Sequence, residues 1–96
     1  MRYTASARRD VTRLYQFLLE RDINTAEKAL AALERGTDLL RDFPFSCRKA
    51  VTENPLLREM LIPFAGSGYV VLFEIENNTT VTILAIRHQR EDDYFS

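Results

Sequence analysis

Val11, Leu14, Tyr15 and Leu18 recur at i, i+3, i+4 and i+7, with Arg8, Arg9, Arg13 and Gln16 on the other faces. That spacing predicts an amphipathic helix from about Ala7 to Arg21, with Ser6 at the N-cap and Asp10 near the positive helix end. Asn24-Thr25-Ala26-Glu27 has the form of a capping box, so a second helix is expected to start there. Ala26, Ala29, Leu30, Leu33, Thr37 and Leu40 carry it to about Asp42, and Phe43-Pro44 stops it, because the residue before a proline is pushed out of helical geometry. The short Arg21-Asp22-Ile23 connection requires an antiparallel helical hairpin, whose alanines let the helices approach closely. Gly36 inside the second helix costs about 1 kcal/mol relative to alanine.

From Phe45 to Pro55 no period is visible, and the segment reads as a loop. The period then becomes two. Arg58, Met60, Ile62 and Phe64 fall on one face of a strand, and Leu57, Glu59 and Leu61 on the other. Gly66-Ser67-Gly68 is the expected turn. Tyr69, Val71, Phe73 and Ile75 alternate with Val70, Leu72, Glu74 and Glu76 in a second strand, which ends at the turn-forming Asn77-Asn78. A third strand runs from about Thr80 to Arg87. With Arg2-Tyr3-Thr4 as a short N-terminal edge strand, the expectation is an α+β fold. An antiparallel two-helix hairpin packs on a mostly antiparallel sheet that ends in a three-strand meander.

The chain has 96 residues, 46% of them hydrophobic and 28% charged. This is enough for a single domain over 1–96 with one core, and too little to enclose a large cofactor pocket as well. The net charge of −1 argues against binding nucleic acid through bulk charge, and no sequence-specific nucleic-acid binding is expected. The mean hides a split: residues 1–50 carry ten basic and seven acidic side chains, and residues 51–96 carry three and seven. Eleven of the thirteen cations are arginines, whose planar fork suits carboxylate or phosphate, leaving only Lys28 and Lys49 as lysines. The single cysteine, Cys47, cannot form an internal disulfide. With His88 it falls short of a structural zinc site, so no metal or cofactor is expected. No secretory leader and no apolar run long enough for a membrane helix is visible, so the expected setting is cytoplasmic, without membrane association.

Three segments, in this order and spacing, resemble the RelE/ParE superfamily of toxins. They are Leu57-Arg58-Glu59-Met60-Leu61-Ile62-Pro63-Phe64, Gly68-Tyr69-Val70-Val71-Leu72-Phe73, and Val81-Thr82-Ile83-Leu84-Ala85-Ile86-Arg87-His88 with its Gln89-Arg90 continuation. Ser6-Ala7 followed by Asp10-Val11 resembles the family's first-helix entry. The ending is closer to the ParE branch, which closes its last strand with a histidine followed by a basic and then an acidic residue. The resemblance implies a toxin of a type II toxin-antitoxin system that inhibits DNA gyrase. It also implies a hetero-oligomer with a cognate ParD-like antitoxin, which wraps the toxin with its C-terminal segment. The alternative within the superfamily is a RelE-like, ribosome-dependent mRNA endoribonuclease. Two departures stand out: Ser46-Cys47-Arg48-Lys49 where many relatives carry a Gly-Arg pair, and Asp22-Ile23 in place of the usual interhelical glycine.

The residues expected to form the target-binding surface are Arg58, Arg87, His88, Arg90, Tyr94 and Phe95, with none assigned a catalytic role. His88 is able to act as a general base beside Arg87 or Arg90, or to serve as a packed or capping histidine; its parity with Leu84 and Ile86 favours packing. Arg58 and Arg87 either project into a common groove or pair with Glu59, Glu74 or Glu76. Tyr94 and Phe95 either dock on the chain's own sheet or present an anchor to a partner. Arg8, Arg9 and Arg13 read as the solvated face of the first helix, and Cys47 as a loop thiol with no nearby base.

Overall fold

The computed structural model describes residues 1–51, 53–77 and 80–91. Strand β1 (Arg2–Tyr3) leads into helices α1 (Ala5–Leu19) and α2 (Ile23–Asp42). A single 3-10 turn (Pro44–Ser46) then precedes β2 (Arg48–Val51), β3 (Asn54–Phe64), β4 (Ser67–Ile75) and β5 (Val81–His88). The strands form one sheet in the order β1-β5-β4-β3-β2, parallel only between β1 and β5. The helical hairpin covers one face, with α1 chiefly over β5 and α2 over β3. Ala7, Leu14, Ala29, Leu33 and Leu40 meet Ile62, Val71, Phe73, Ile83 and Ile86 in the core.

Both helices start earlier than their first-choice caps imply. Thr4 caps α1 by accepting from the Ala7 N–H at 3.1 Å, while its own hydroxyl donates to the Leu84 carbonyl. The strand just before it fixes that position, and Ser6 falls inside the helix. Asp22 caps α2, accepting from the Asn24 N–H at 3.1 Å and the Thr25 hydroxyl at 2.8 Å. A carboxylate one residue before the helix thus displaces the box expected at Asn24. Gly36 faces Ile62 so closely that a Cβ there would lie 2.5 Å from Ile62 Cδ1. The glycine that weakens the helix is what lets α2 sit down on β3.

The segment expected to be a loop contains β2, an edge strand paired with β3 through Arg48 with Glu59 and Lys49 with Arg58, and irregular between Lys49 and Val51. The β3–β4 turn is Ala65-Gly66, two residues with φ of 51° and 76°, earlier than the expected Gly66-Ser67-Gly68. Phe64 pairs with Ser67 across it, a two-residue turn with positive φ at both positions that matches the twist of the strands. Between β4 and β5 the register slips at Leu72/Phe73, so Leu72 opposes Ala85 while Phe73 opposes Ile83. Leu84 is the extra residue of this bulge. As a result Ile83 and Ile86, three apart, both pack under the helices, and strict parity from Leu84 to His88 breaks.

Candidate functional site

One edge of β5 pairs with β4, but the other meets β1 only at Thr82 and Ile83. Further along, side chains replace the missing strand. Asp10 of α1, 8% exposed, accepts from the Ile86 N–H at 2.9 Å, and the Glu91 carboxylate accepts from the His88 N–H at 2.8 Å. Arg13 joins the two acids. Its Nη1 lies 3.2 and 3.1 Å from the two Glu91 oxygens, and its Nη2 lies 3.6 Å from Asp10 Oδ1. Each edge amide left without an acceptor in this half-buried setting would cost about 1–3 kcal/mol, so the clasp both closes the sheet and fixes where the chain leaves β5. Arg13 is therefore half-buried and engaged, unlike its exposed neighbours Arg8 and Arg9, with which its helical spacing had grouped it. The i, i+3 relation to Asp10 is the signal in the sequence that sets it apart.

Beside the clasp lies a groove of about 550 Å³ between the second half of α1, the β3–β4 hairpin and the end of β5. Leu14, Leu18, Phe64 and Tyr69 form its floor, and Phe17, Arg21 and Arg90 its rim. Arg21 stacks on the Phe17 ring, 4.4 Å from guanidinium carbon to ring centre. Tyr69 is buried between Phe64, with ring centres 6.1 Å apart, and His88, in a T-shaped arrangement with ring centres 5.7 Å apart. Burial pushes the Tyr69 phenol above its ordinary range, so it stays neutral at physiological pH.

Of the expected site residues the structure describes, His88 and Arg90 line this groove together, but Arg58 and Arg87 do not converge. Arg58 lies on the helix face of β3 opposite Phe73, and Arg87 on the other face of the sheet opposite Val70, so they share no groove. Arg58 holds the turn before β2. It donates to the carbonyls of Pro55 at 2.6 Å, Cys47 at 2.8 Å and Phe45 at 3.3 Å, and lies 5.4 Å from the Phe45 ring centre. Arg87 donates to the carbonyls of His88, Gln89 and, at 2.6 Å, Glu91, bracing the turn that follows β5. Of the acids considered as their partners, Glu59 meets Arg48 at 3.2 Å and Glu76 meets Arg2 at 3.8 Å. His88 packs against Tyr69, and its Nδ1 accepts from the Arg90 N–H at 3.1 Å. Arg90 is exposed on the groove rim. Tyr94 and Phe95 lie outside the described residues.

Burial also raises the Cys47 thiol pKa, against weaker opposing effects from Ser46 and Arg58. Among the described residues no group of three or more His, Cys, Asp or Glu side chains is placed to hold a metal ion, and no helix is long and apolar enough to cross a membrane.

The sequence matches, over residues 1–93, the family model described as the ParE toxin of the type II toxin-antitoxin system parDE. Two curated relatives come from Caulobacter vibrioides (strain ATCC 19089 / CIP 103742 / CB 15). Toxin RelE1 is 36% identical over 69 residues, 72% of this chain and 71% of the relative. Toxin RelE3 is 33% identical over 86 residues, 88% of each. The helical hairpin on a five-stranded sheet, the clasped last strand and these matches together place the chain in the ParE toxin family of type II toxin-antitoxin systems, within the RelE/ParE superfamily.

Proposed function

We propose that this toxin arrests growth by binding and inhibiting DNA gyrase in the cytoplasm, and that a cognate ParD-like antitoxin neutralises it in a hetero-oligomer. The observation that carries the reading is the placement of the cations. Cleaving a phosphodiester through its 2′-hydroxyl calls for a proton acceptor and cations gathered around one phosphate. Here Arg58 and Arg87 lie on opposite faces of the sheet and hold backbone carbonyls, and the His88 Nδ1 already accepts a hydrogen bond. Such an arrangement suits a binding surface better than a phosphate-cleaving centre. Membership of the ParE family supports the same choice.

The second reading, ribosome-dependent mRNA cleavage, is favoured by the naming of both curated relatives as RelE toxins. The two readings separate in one experiment. The protein is induced without antitoxin, then purified and assayed for gyrase supercoiling and for cleavage of mRNA on programmed ribosomes. Loss of supercoiling with intact mRNA is the expected result. Cleaved mRNA with normal supercoiling would overturn it and make His88, Arg87 and Arg58 catalytic candidates.

A further inference from the structure

The helical hairpin covers one face of the sheet, and among the described residues no element packs on the other. Leu57, Leu61 and Leu72 form an apolar strip along that open face, with Leu61 45% exposed. The charges around the strip are mostly matched. Glu59 meets Arg48 at 3.2 Å, Glu76 meets Arg2 at 3.8 Å, and Arg87 holds the turn after β5. Glu74 is the exception: half-buried beside Leu57, it has no ion-pair partner among the described residues. Directly opposite it on β5 stands Thr82, 7% exposed, whose hydroxyl oxygen is buried without a hydrogen-bond partner. Cross-strand neighbours of this kind have Cβ atoms ~4.5–5.5 Å apart, so a rotamer change brings the carboxylate within reach of the hydroxyl. A carboxylate without a cation beside a buried donor without an acceptor makes the two halves of a cation site. The surface it fits is that of a protein presenting a lysine or arginine among apolar side chains. Nucleic acid is a poor match, because its phosphates would meet Glu74.

Resting on the reading of gyrase as the target, we propose that the open face of the sheet seats gyrase and that Glu74 receives one lysine or arginine of the gyrase surface. The Thr82 hydroxyl then donates to one carboxylate oxygen, and the other oxygen faces the incoming cation. Thr82 is a positioning residue, which holds the carboxylate without touching gyrase itself. The neighbouring leucines exclude water from the contact and so strengthen the ion pair. Arg87 stands on the same face, opposite Val70 and four residues along β4 from Glu74, a span of about 13 Å that one partner surface covers. A target that lacks the cation leaves Glu74 desolvated and unmatched, so the pair also discriminates between targets.

The test measures binding of the full chain to the gyrase holoenzyme by biolayer interferometry, together with inhibition of supercoiling. The variants are Glu74→Gln, Thr82→Val, Thr82→Ser and the double variant Glu74→Gln/Thr82→Val, with Glu27→Gln on the exposed side of α2 as the control. Glu74→Gln should melt like the wild type and bind gyrase about tenfold more weakly, and Glu27→Gln should bind as the wild type does. Thr82→Val should raise Tm, because it removes an orphaned hydroxyl, and yet weaken binding about threefold. Thr82→Ser should restore the affinity, and Thr82→Val should add nothing once Glu74→Gln is present. Equal losses from Thr82→Val in both backgrounds would overturn its positioning role. Glu74→Gln binding within about twofold of the wild type would overturn the seating and leave gyrase standing as the target. An equal loss in Glu27→Gln would reduce the effect to bulk charge and overturn the seating as well. A wild type that neither binds nor inhibits gyrase would overturn the target reading, and the seating with it. Weaker antitoxin binding or self-association by Glu74→Gln, at unchanged gyrase affinity, would overturn the proposal by giving the site to that other occupant.

Discussion

Replacing Gly36 by alanine sets two effects of known sign against each other. In an exposed helix interior the change would stabilise by about 1 kcal/mol. In α2 the new methyl carbon would lie 2.5 Å from Ile62 Cδ1 and 2.7 Å from Ile62 Cγ1, each about 1 Å inside ordinary contact. Only the first of these atoms ends a flexible side chain. Ile62 is 5% exposed and has no solvent to swing into, so α2 must lift from β3 or Ile62 must leave its rotamer. Overpacking of this kind costs about 1–3 kcal/mol, which outweighs the helix gain and leaves a net loss of roughly 1 kcal/mol, or about 4–8 °C in Tm for a domain of this size. Urea melts of the wild type, Gly36→Ala, Ile62→Val and the double variant measure the coupling. Removing Cδ1 should make the alanine less harmful, giving a favourable interaction energy of about 0.5–1 kcal/mol. A Gly36→Ala variant that gains the full helix-propensity benefit on its own would refute the packing argument.

Asp10→Ala removes the acceptor of the Ile86 N–H and one partner of Arg13, so it should cost about 1–3 kcal/mol and speed amide exchange at Ile86; unchanged exchange there would show that the edge is closed some other way. The Asp22 carboxyl is held below its ordinary pKa, first by the Thr25 hydroxyl and then by the Asn24 N–H. Its contribution is thus complete above the unfolded carboxylate range, near pH 4, and is lost as pH falls through the lower folded value. The stability gap between wild type and Asp22→Asn should accordingly shrink as pH falls from about 5 through the carboxylate range, and a gap independent of pH would contradict this. Arg58→Leu should destabilise by about 1–3 kcal/mol and free the turn before β2, because three carbonyls lose their donor. Loss of toxicity at an unchanged Tm would make Arg58 a target contact instead. Arg87→Ala removes the donor to three carbonyls of the turn after β5 and should lower Tm; lost toxicity in a variant that still folds and binds antitoxin would support a target contact, and full toxicity would remove Arg87 from the target surface.

The helices and the three long strands were legible because burial on one side imposes a period, 3.6 for Val11 to Leu18 and two for Met60 to Phe64. The caps were harder. Ser6 and Asn24 are competent N-caps, and only tertiary placement gives the role to Thr4 and Asp22. Strand β2 was invisible because Arg48-Lys49-Ala50-Val51 lies at the sheet edge, where no face is deeply buried and charge replaces alternation. The bulge at Leu84 left no local trace, yet it decides which residues near the end of β5 face the helices. The site was legible in its residue types more than in its connections. The His88 ring lies against Tyr69, although the bulge removes the parity with Leu84 that pointed there, and Arg90 lies on a groove rim. That Arg58 and Arg87 brace separate turns depends on carbonyls supplied by the fold, and the importance of Asp10 and Arg13 on contacts nearly eighty residues away.

Those distant contacts bear on when the toxin comes into being. Thr4 bonds to Ile83 and Leu84, Asp10 to Ile86 and Arg13 to Glu91, so the first helix is seated by the last strand made. While the chain is being synthesised, α1 and α2 can pair, but the surface that receives α1 does not yet exist. Closing a loop of this length adds an entropic cost that only the complete β5 can offset. The seating of α1 therefore waits for β5, and a partner already present can meet the finished surface as it forms.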